Sequence, residues 1–474
     1  MLYDLSFLKS GAEFPPRDEI RRLDAYRINA KLMEDEMWSV LIEHKRRVQH
    51  ILANFAISSE NVYLFNANYW GDLVNKMQEL AYGDPPEITA KDGEDQIKQI
   101  LQETECIEKA DEGCADFVAL GDWVTKIVGD TFINVDPSTW FPIVSRENVK
   151  EIKSHVLAWI VPVSEKKFEL HVQIHDKGKY TNRAYAISNY SADSYYIVQS
   201  TGQKINCPTY VIGTELKKSS TDFQLGVFET GLNDFAVVAS ANNPGTRQIC
   251  GTSDFDKVTD AIIEYNVRMT LKSVVLDKHS APKMYGPYLK GADGFGNYLE
   301  IPAGESPPGY LTWDASMQAV TQTIDALKED IANLSGMGSL LNSKTFGESQ
   351  GYDALMIKLA PALMRSGRKK SILEKHLKTL LSTISVRYGK EISQKDISIV
   401  WHDGIPTTES VRADIAQKHL STGWSYKRVL MSDYGFDEKT ADEIVEEKKS
   451  ETPVVPSFGF DEMDDGGEGG GQLV

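Results

Sequence analysis

The chain has 474 residues, 41% of them hydrophobic, and a formal net charge of −18. That length accommodates about two to four domains, each with its own core. The acidic balance excludes a typical nucleic-acid binder, which grips phosphates with a basic face, and no apolar run approaches the roughly 18 residues of a membrane span.

Residues 1–15 read as irregular, without the basic start and apolar stretch of a secretory signal. From 18 to 54 the apolar positions Leu23, Tyr26, Ala30, Met33, Met37, Val40 and Leu41 fall at helical spacing. A second helix is predicted over 68–82, stopped by Gly83-Asp84-Pro85-Pro86, and the polar stretch 93–112 reads as an exposed helix. Between 116 and 231 the texture changes. Short runs of Val, Ile, Tyr, Phe and Trp alternate with turn residues, over 132–135, 156–163, 168–174, 184–187 and 195–198. That pattern predicts antiparallel sheet, so the fold class is α+β.

Two amphipathic helices follow. In 254–276, Phe255, Val258, Ile262, Tyr265 and Met269 step 3-4-3-4, Lys272 interrupts, and Leu276 resumes the register. In 315–334, Met317, Val320, Ile324, Leu327, Ile331 and Leu334 step 3-4-3-4-3. Each keeps one seam against a neighbour over about 30 Å, capped by Ser253 with Asp256 and by Asp314. The 33 residues between them, 280–312, hold six glycines and five prolines, the composition of a small turn-rich tip. A glycine-bounded loop, 336–350, carries Lys344 as its only base. The helix predicted over 352–387, broken at Pro361, has eight basic residues against Asp353 and Glu374. A strand at 397–401 and helices at 409–420, 426–433 and 438–449 complete the regular elements. The acidic, glycine-rich stretch 452–474 reads as disordered.

Motifs for chemistry are missing. The sequence has no G-x-x-x-x-G-K-[ST] loop, no H-E-x-x-H and no G-x-S-x-G. Gly291, Gly294 and Gly296 lack the strand-to-helix context of a dinucleotide site. His171 and His175 share a strand face, but no Cys, Asp or Glu stands at ligand spacing, so ordinary strand histidines are expected and no metal or cofactor is. His44 and His50 read as solvated surface. Cys106, Cys114, Cys207 and Cys250 have neither metal nor disulfide spacing and read as free thiols.

The helix 254–276 has a second apolar stripe, Ile263, Val267 and Val274, and so needs partners on two sides. These are either elements of its own domain or, in a ring, a neighbouring subunit. The helix 315–334 turns Gln318, Gln322, Asp325 and Glu329 the other way, toward water or a central channel. The basic helix is solvated, paired with acidic neighbours, or in weak contact with phosphates.

The order of these parts resembles the portal proteins of long-tailed double-stranded DNA bacteriophages. The resemblance spans about residues 60–450 and rests on the stretches Asp136-Pro137-Ser138-Thr139-Trp140-Phe141-Pro142-Ile143, Gly251-Thr252-Ser253-Asp254-Phe255, Leu276-Asp277-Lys278-His279-Ser280-Ala281-Pro282 and Ser349-Gln350-Gly351-Tyr352-Asp353-Ala354-Leu355. It implies a homododecameric ring at one capsid vertex, assembled in the host cytoplasm and carried in the virion. Double-stranded DNA passes through it without a membrane being involved. The implied partners are the terminase large subunit, the head–tail adaptor, the major capsid protein and the scaffold.

On this chain the family's parts fall at 1–250 (wing), 251–279 and 313–335 (stem helices) and 280–312 (clip). They continue with 336–350 (tunnel loop), 351–388 (kinked tunnel helix), 389–405 (strand returning to the wing) and 406–451 (crown). The tail 452–474 lies beyond the family pattern. The resemblance implies no enzymatic activity. Lys344, Gln318, Gln322, Asp325 and Glu329 become the channel candidates, and the two seams become ring-packing residues. The acidic balance then suits a conduit that guides DNA without holding it. Two other classes remain: a cytoplasmic enzyme whose groups converge only in space, and another head–tail connector ring.

Overall fold

The computed structural model describes residues 1–43, 64–165, 167–191, 195–197, 204–206, 209–280, 283–285, 304, 309–311, 317–341, 352–401, 409–434, 436 and 438–451. The chain divides into two units, Met1–Gly404 and Ile405–Val474. The fold class is α+β, with helices and antiparallel strands in separate stretches.

Strand β1 (Glu13–Phe14) precedes two helices where one was expected over 18–54: α1 (Ile20–Met33) and α2 (Met37–Glu43). Asp35, at φ 63, makes the break, since a left-handed residue cannot continue the helix. The expectation for 44–54 falls outside the described residues. Helix α3 (Tyr69–Tyr82) starts where Asn68 Oδ1 accepts from Gly71 N at 2.8 Å. It buries Trp70, Leu73, Val74 and Met77 at helical spacing.

Strand β2 (Glu87–Ala90) leads to α4 (Glu94–Thr104) and α5 (Cys106–Ala119), which meet at left-handed Glu105. This corrects the single exposed helix expected at 93–112. Ile97, Ile100, Cys106, Ala110, Cys114 and Phe117 are fully buried. Long polar side chains on the outer faces had hidden that stripe.

The strand-rich stretch holds β3 (Asp122–Val128), β4 (Thr131–Val135), β5 (Trp140–Val144), β6 (Ile152–Ser164), β7 (Lys167–Asp176) and β8 (Lys179–Ser191). It continues with β9 (Tyr195–Ile197), β10 (Lys204–Asn206), β11 (Thr209–Glu215), β12 (Gly226–Glu229) and β13 (Val237–Ala241). The large antiparallel sheet has the order β1-β11-β8-β7-β6-β5, with β12 also on β8; a second runs β13-β3-β4.

Strand β7 is buried on both faces. Leu170, Val172 and Ile174 join Phe7, Phe14 and Phe141 in one apolar cluster. Glu169, His171, Gln173 and His175 point the other way, where polar groups need partners. Ser219 Oγ donates to Glu169 Oε2 at 2.8 Å, and His171 stacks on Phe223 at 4.3 Å. His175 stacks on Tyr180 and stands opposite His155 in the β6–β7 register.

The remaining elements of this unit are α6 (Thr259–Ser280), β14 (Lys283–Tyr285), β15 (Gly309–Leu311), α7 (Met317–Ser335), α8 (Gly338–Leu341), α9 (Tyr352–Ser385) and β16 (Ile397–Val400). Strands β14 and β15 pair with each other, and β16 pairs with β2. Helix α9 is the spine of the largest core: Leu373, Leu377, Leu380, Leu381 and Ile384 have no exposed surface. His376 lies flat on Trp123 at 3.7 Å, its two ring nitrogens each 3.0 Å from a hydroxyl, Thr125 Oγ1 and Ser240 Oγ. Helix α9 runs through Pro361 as one element, so the chain is not broken there and the expected kink falls within a continuous helix. Pro361 and Ile357, whose carbonyl loses its helical donor to the missing N–H, are both exposed.

In the second unit, α10 (Glu409–Ser421), α11 (Tyr426–Asp433) and α12 (Glu438–Glu451) bury Ala416, Val429, Leu430 and Ala441. Ser425 caps α11, and the Trp424 ring lies between His419 at 4.2 Å and the Arg428 guanidinium at 4.3 Å.

Candidate ring-packing and channel surface

Helix α6 begins at Thr259, five residues later than expected at 254, so Phe255 and Val258 precede it. The reason is the stretch 251–255. Gly251 N donates to Asp122 Oδ1 at 2.9 Å, and a Cβ on Gly251 would stand 2.0 Å from Gly121 O. Ser253 Oγ donates to Val118 O at 3.1 Å and accepts from Phe255 N at 3.2 Å. Asp254 meets Lys369 Nζ at 2.7 Å, both nearly buried. These bonds commit the segment to α5, β3 and α9 before the helix can start.

Within α6, Ile262 and Tyr265 are buried and Met269 is half-buried. The sequence reading missed two residues here. Asn266 accepts from Ala67 N at 2.7 Å and donates to Ile262 O at 3.0 Å, while Thr270 Oγ1 accepts from Phe65 N at 3.0 Å. They fasten α6 to the segment before α3. Polar residues inside an apolar helix stripe are the signal that would have found them. In the second stripe Ile263 is half-buried, while Val267 and Val274 are buried within this chain, not left for a neighbour. Leu276 stays 50% exposed.

Helix α7 packs on α6 through Ile324 and Ile331, which are buried, and Leu327, which is half-buried. Val320 and Leu334, toward its two ends, are 37% and 50% exposed. Met317 opens the helix, and its side chain is outside the described set. Gln318, Gln322, Asp325 and Glu329 are all exposed. Lys328 Nζ lies 5.7 Å from the centre of the Tyr265 ring. At the C-terminus of α7, the Arg365 guanidinium donates to the carbonyls of Ser335 and Leu334, a cation where the helix end needs donors. Lys344 and Asp314 lie outside the described residues, as do most of 280–312.

On α9, Ile357 is 75% and Met364 70% exposed, on the same side as Pro361. The basic residues of this helix are largely engaged inside the chain. Besides Arg365 and Lys369, Lys378 pairs with Glu374 at 2.7 Å, and just past the helix end Arg387 donates to Thr230 O. Of the three expectations for them, internal pairing has the most support.

Among the described residues no group of three or more His, Cys, Asp or Glu side chains is placed to hold a metal, and no helix is long and apolar enough to cross a membrane. Burial pushes the Cys106, Cys114 and Cys250 thiols up to about 12, far from the thiolate that nucleophilic chemistry requires.

Comparison with known proteins adds an independent observation. No curated protein matches the chain. Among solved structures, a chain described as the neck of a native GTA particle, computed with C12 symmetry, aligns with a TM-score of 0.43 at 12% identity. The alignment covers 77% of this chain and 90% of that one. Residues 287–454 match the family described as phage portal protein, SPP1 Gp6-like. Over those residues the chain is similar to the phage portal family that its motifs and the order of its helices resemble.

Proposed function

We propose that copies of this chain form a ring, twelve in number, around a channel at one vertex of a phage capsid, through which the genome is packaged and later ejected. The observation that carries this reading is the portal-family match over 287–454. Supporting it, Val320, Leu334, Ile357 and Met364 stay exposed on the single chain, and side chains of this kind gain from burial against a second copy. The polar face of α7 lines the channel, with Gln318, Gln322, Asp325 and Glu329 facing DNA and Lys344 among its few basic contacts. The tip between α6 and α7 docks the terminase motor first and the head–tail adaptor afterwards. The wing meets the major capsid protein and scaffold, and the ring performs no reaction itself.

The test is electron microscopy of the purified full-length protein. Class averages should show a ring with an open centre wide enough for a duplex, and particles that stay monomeric or dimeric under all conditions would reject the reading. A second measurement concerns the channel. With Asp325 and Glu329 on its lining and a net charge of −18 per chain, the ring should bind duplex DNA weakly at about 0.15 M salt, and tight, steeply salt-dependent binding would contradict an acidic lining.

A further inference from the structure

A cavity of about 700 Å³ opens between the turn after β13, the segment leading into α6 and the side of α9, with Leu334 of α7 also on its wall. Four basic side chains line it (Lys257, Arg365, Arg368 and Lys369) against two acidic ones, Asp254 and Asp256. In a chain of net charge −18 that local surplus stands out. Both carboxylates have a partner, although Asp254 Oδ2 makes no hydrogen bond. Asp254 meets Lys369 at 2.7 Å and Asp256 accepts from Asn29 at 3.1 Å. Lys257 and Arg368 are exposed and have no ion-pair partner among the described residues.

Asn242 supplies an independent pointer. Its side chain lines the cavity and the residue is 1% exposed. Its Oδ1 accepts from Lys369 Nζ at 2.7 Å. That contact fixes the amide, because the flipped orientation would set two N–H donors against an ammonium. Its Nδ2 is then a buried donor with no acceptor, a costly state that native structures rarely leave unresolved. Beside a surplus of positive charge, the missing partner is an oxygen that carries negative charge.

We propose that this cavity binds a phosphate-type oxyanion, with Asn242 Nδ2 donating to one oxygen while Arg368 and Lys257 neutralise its charge. The planar guanidinium of Arg368 matches two phosphate oxygens at once. The site stands apart from the ring reading and would exist in a monomer. Inorganic phosphate and a phosphodiester offer the same chemistry, so the test separates them.

Full-length protein is titrated calorimetrically with inorganic phosphate and, in a separate arm, with a short DNA duplex. Saturable phosphate binding at one site per chain is expected. Arg368→Ala should weaken it about tenfold, the worth of one charge-assisted hydrogen bond. Lys375→Ala, which removes an exposed charge elsewhere on α9, should leave it unchanged. Asn242→Asp keeps an acceptor for Lys369, removes the donor and sets a negative charge in its place, and should abolish binding. If the duplex also binds with the same dependence on Arg368, the ligand is a phosphodiester; if only phosphate binds, it is a small anion. Absence of saturable phosphate binding, or equal losses in Arg368→Ala and Lys375→Ala, would overturn the proposal.

Discussion

Three imidazoles carry more of this fold's pH dependence than its many surface carboxylates. Burial pushes His155 down to about 4 and His175 and His376 to about 3. They stay neutral in the fold while the unfolded chain takes up their protons near 6.5, so their contribution is complete above that pH and drains as pH falls. Asp116 and Asp122, pushed up to about 6 by burial, act in the opposite sense. The fold takes their protons from about 6 downward, whereas the unfolded chain does so only near 3.8. Three groups against two leave a net loss on the order of 1 kcal/mol per pH unit between about 6 and 4.5. Urea unfolding at a series of pH values checks this, and stability that rises as pH falls from about 6 to 4.5 would refute it. The glycines offer a sharper pair. Gly251→Ala drives a Cβ into the Gly121 carbonyl and should cost about 2 kcal/mol or more. Gly367→Ala, on exposed helix with no atom within 4 Å of the added Cβ, should gain about 0.5–1 kcal/mol. Thermal melts of the two variants give the signs directly.

At the scale of elements, the join between α9 and the stretch 251–255 is the point most sensitive to a single change. Lys369→Ala leaves the Asp254 carboxylate buried and unpaired, at a cost of about 3–5 kcal/mol. Replacing both partners, Lys369→Met with Asp254→Leu, should recover most of that loss, as denaturation of the single and double variants would show. The same join explains what the sequence made legible. Helix α3 and helix α11 were found within a residue because their caps, Asn68 and Ser425, lie next to a periodic apolar run. The start of α6 was misplaced because Phe255 and Val258 keep helical spacing while their backbone is held by tertiary bonds that no local pattern encodes. Helices α4 and α5 were merged because a left-handed glutamate, Glu105, gives no warning in composition. The core role of α9 was hidden by its charges: leucines at core spacing were present, but arginine and lysine drew the reading outward.

At the scale of the molecule, the proposed ring assigns the exposed apolar residues to the contact between copies. Ile357→Glu with Met364→Glu should shrink the assembly seen by light scattering while leaving the unfolding free energy of the protomer within about 1 kcal/mol of the parent, since both side chains are solvated on the single chain. Unchanged assembly size would remove these residues from the contact. The polar face of α7 was readable in advance, because alternate sides of a helix declare themselves in the spacing of Gln318, Gln322, Asp325 and Glu329. The basic cavity was not, because Arg368 lies more than a hundred residues along the chain from Asn242 and Lys257.

One guanidinium, that of Arg365, has a mechanical consequence. It grips the final carbonyls of α7 from the middle of α9, so a twist of the first rod is delivered to the second as by a crank pin. Hydrogen exchange in the last turn of α7 should quicken in Arg365→Ala, and slack introduced there would uncouple whatever strain the tip receives from the hydrophobic spine beneath it.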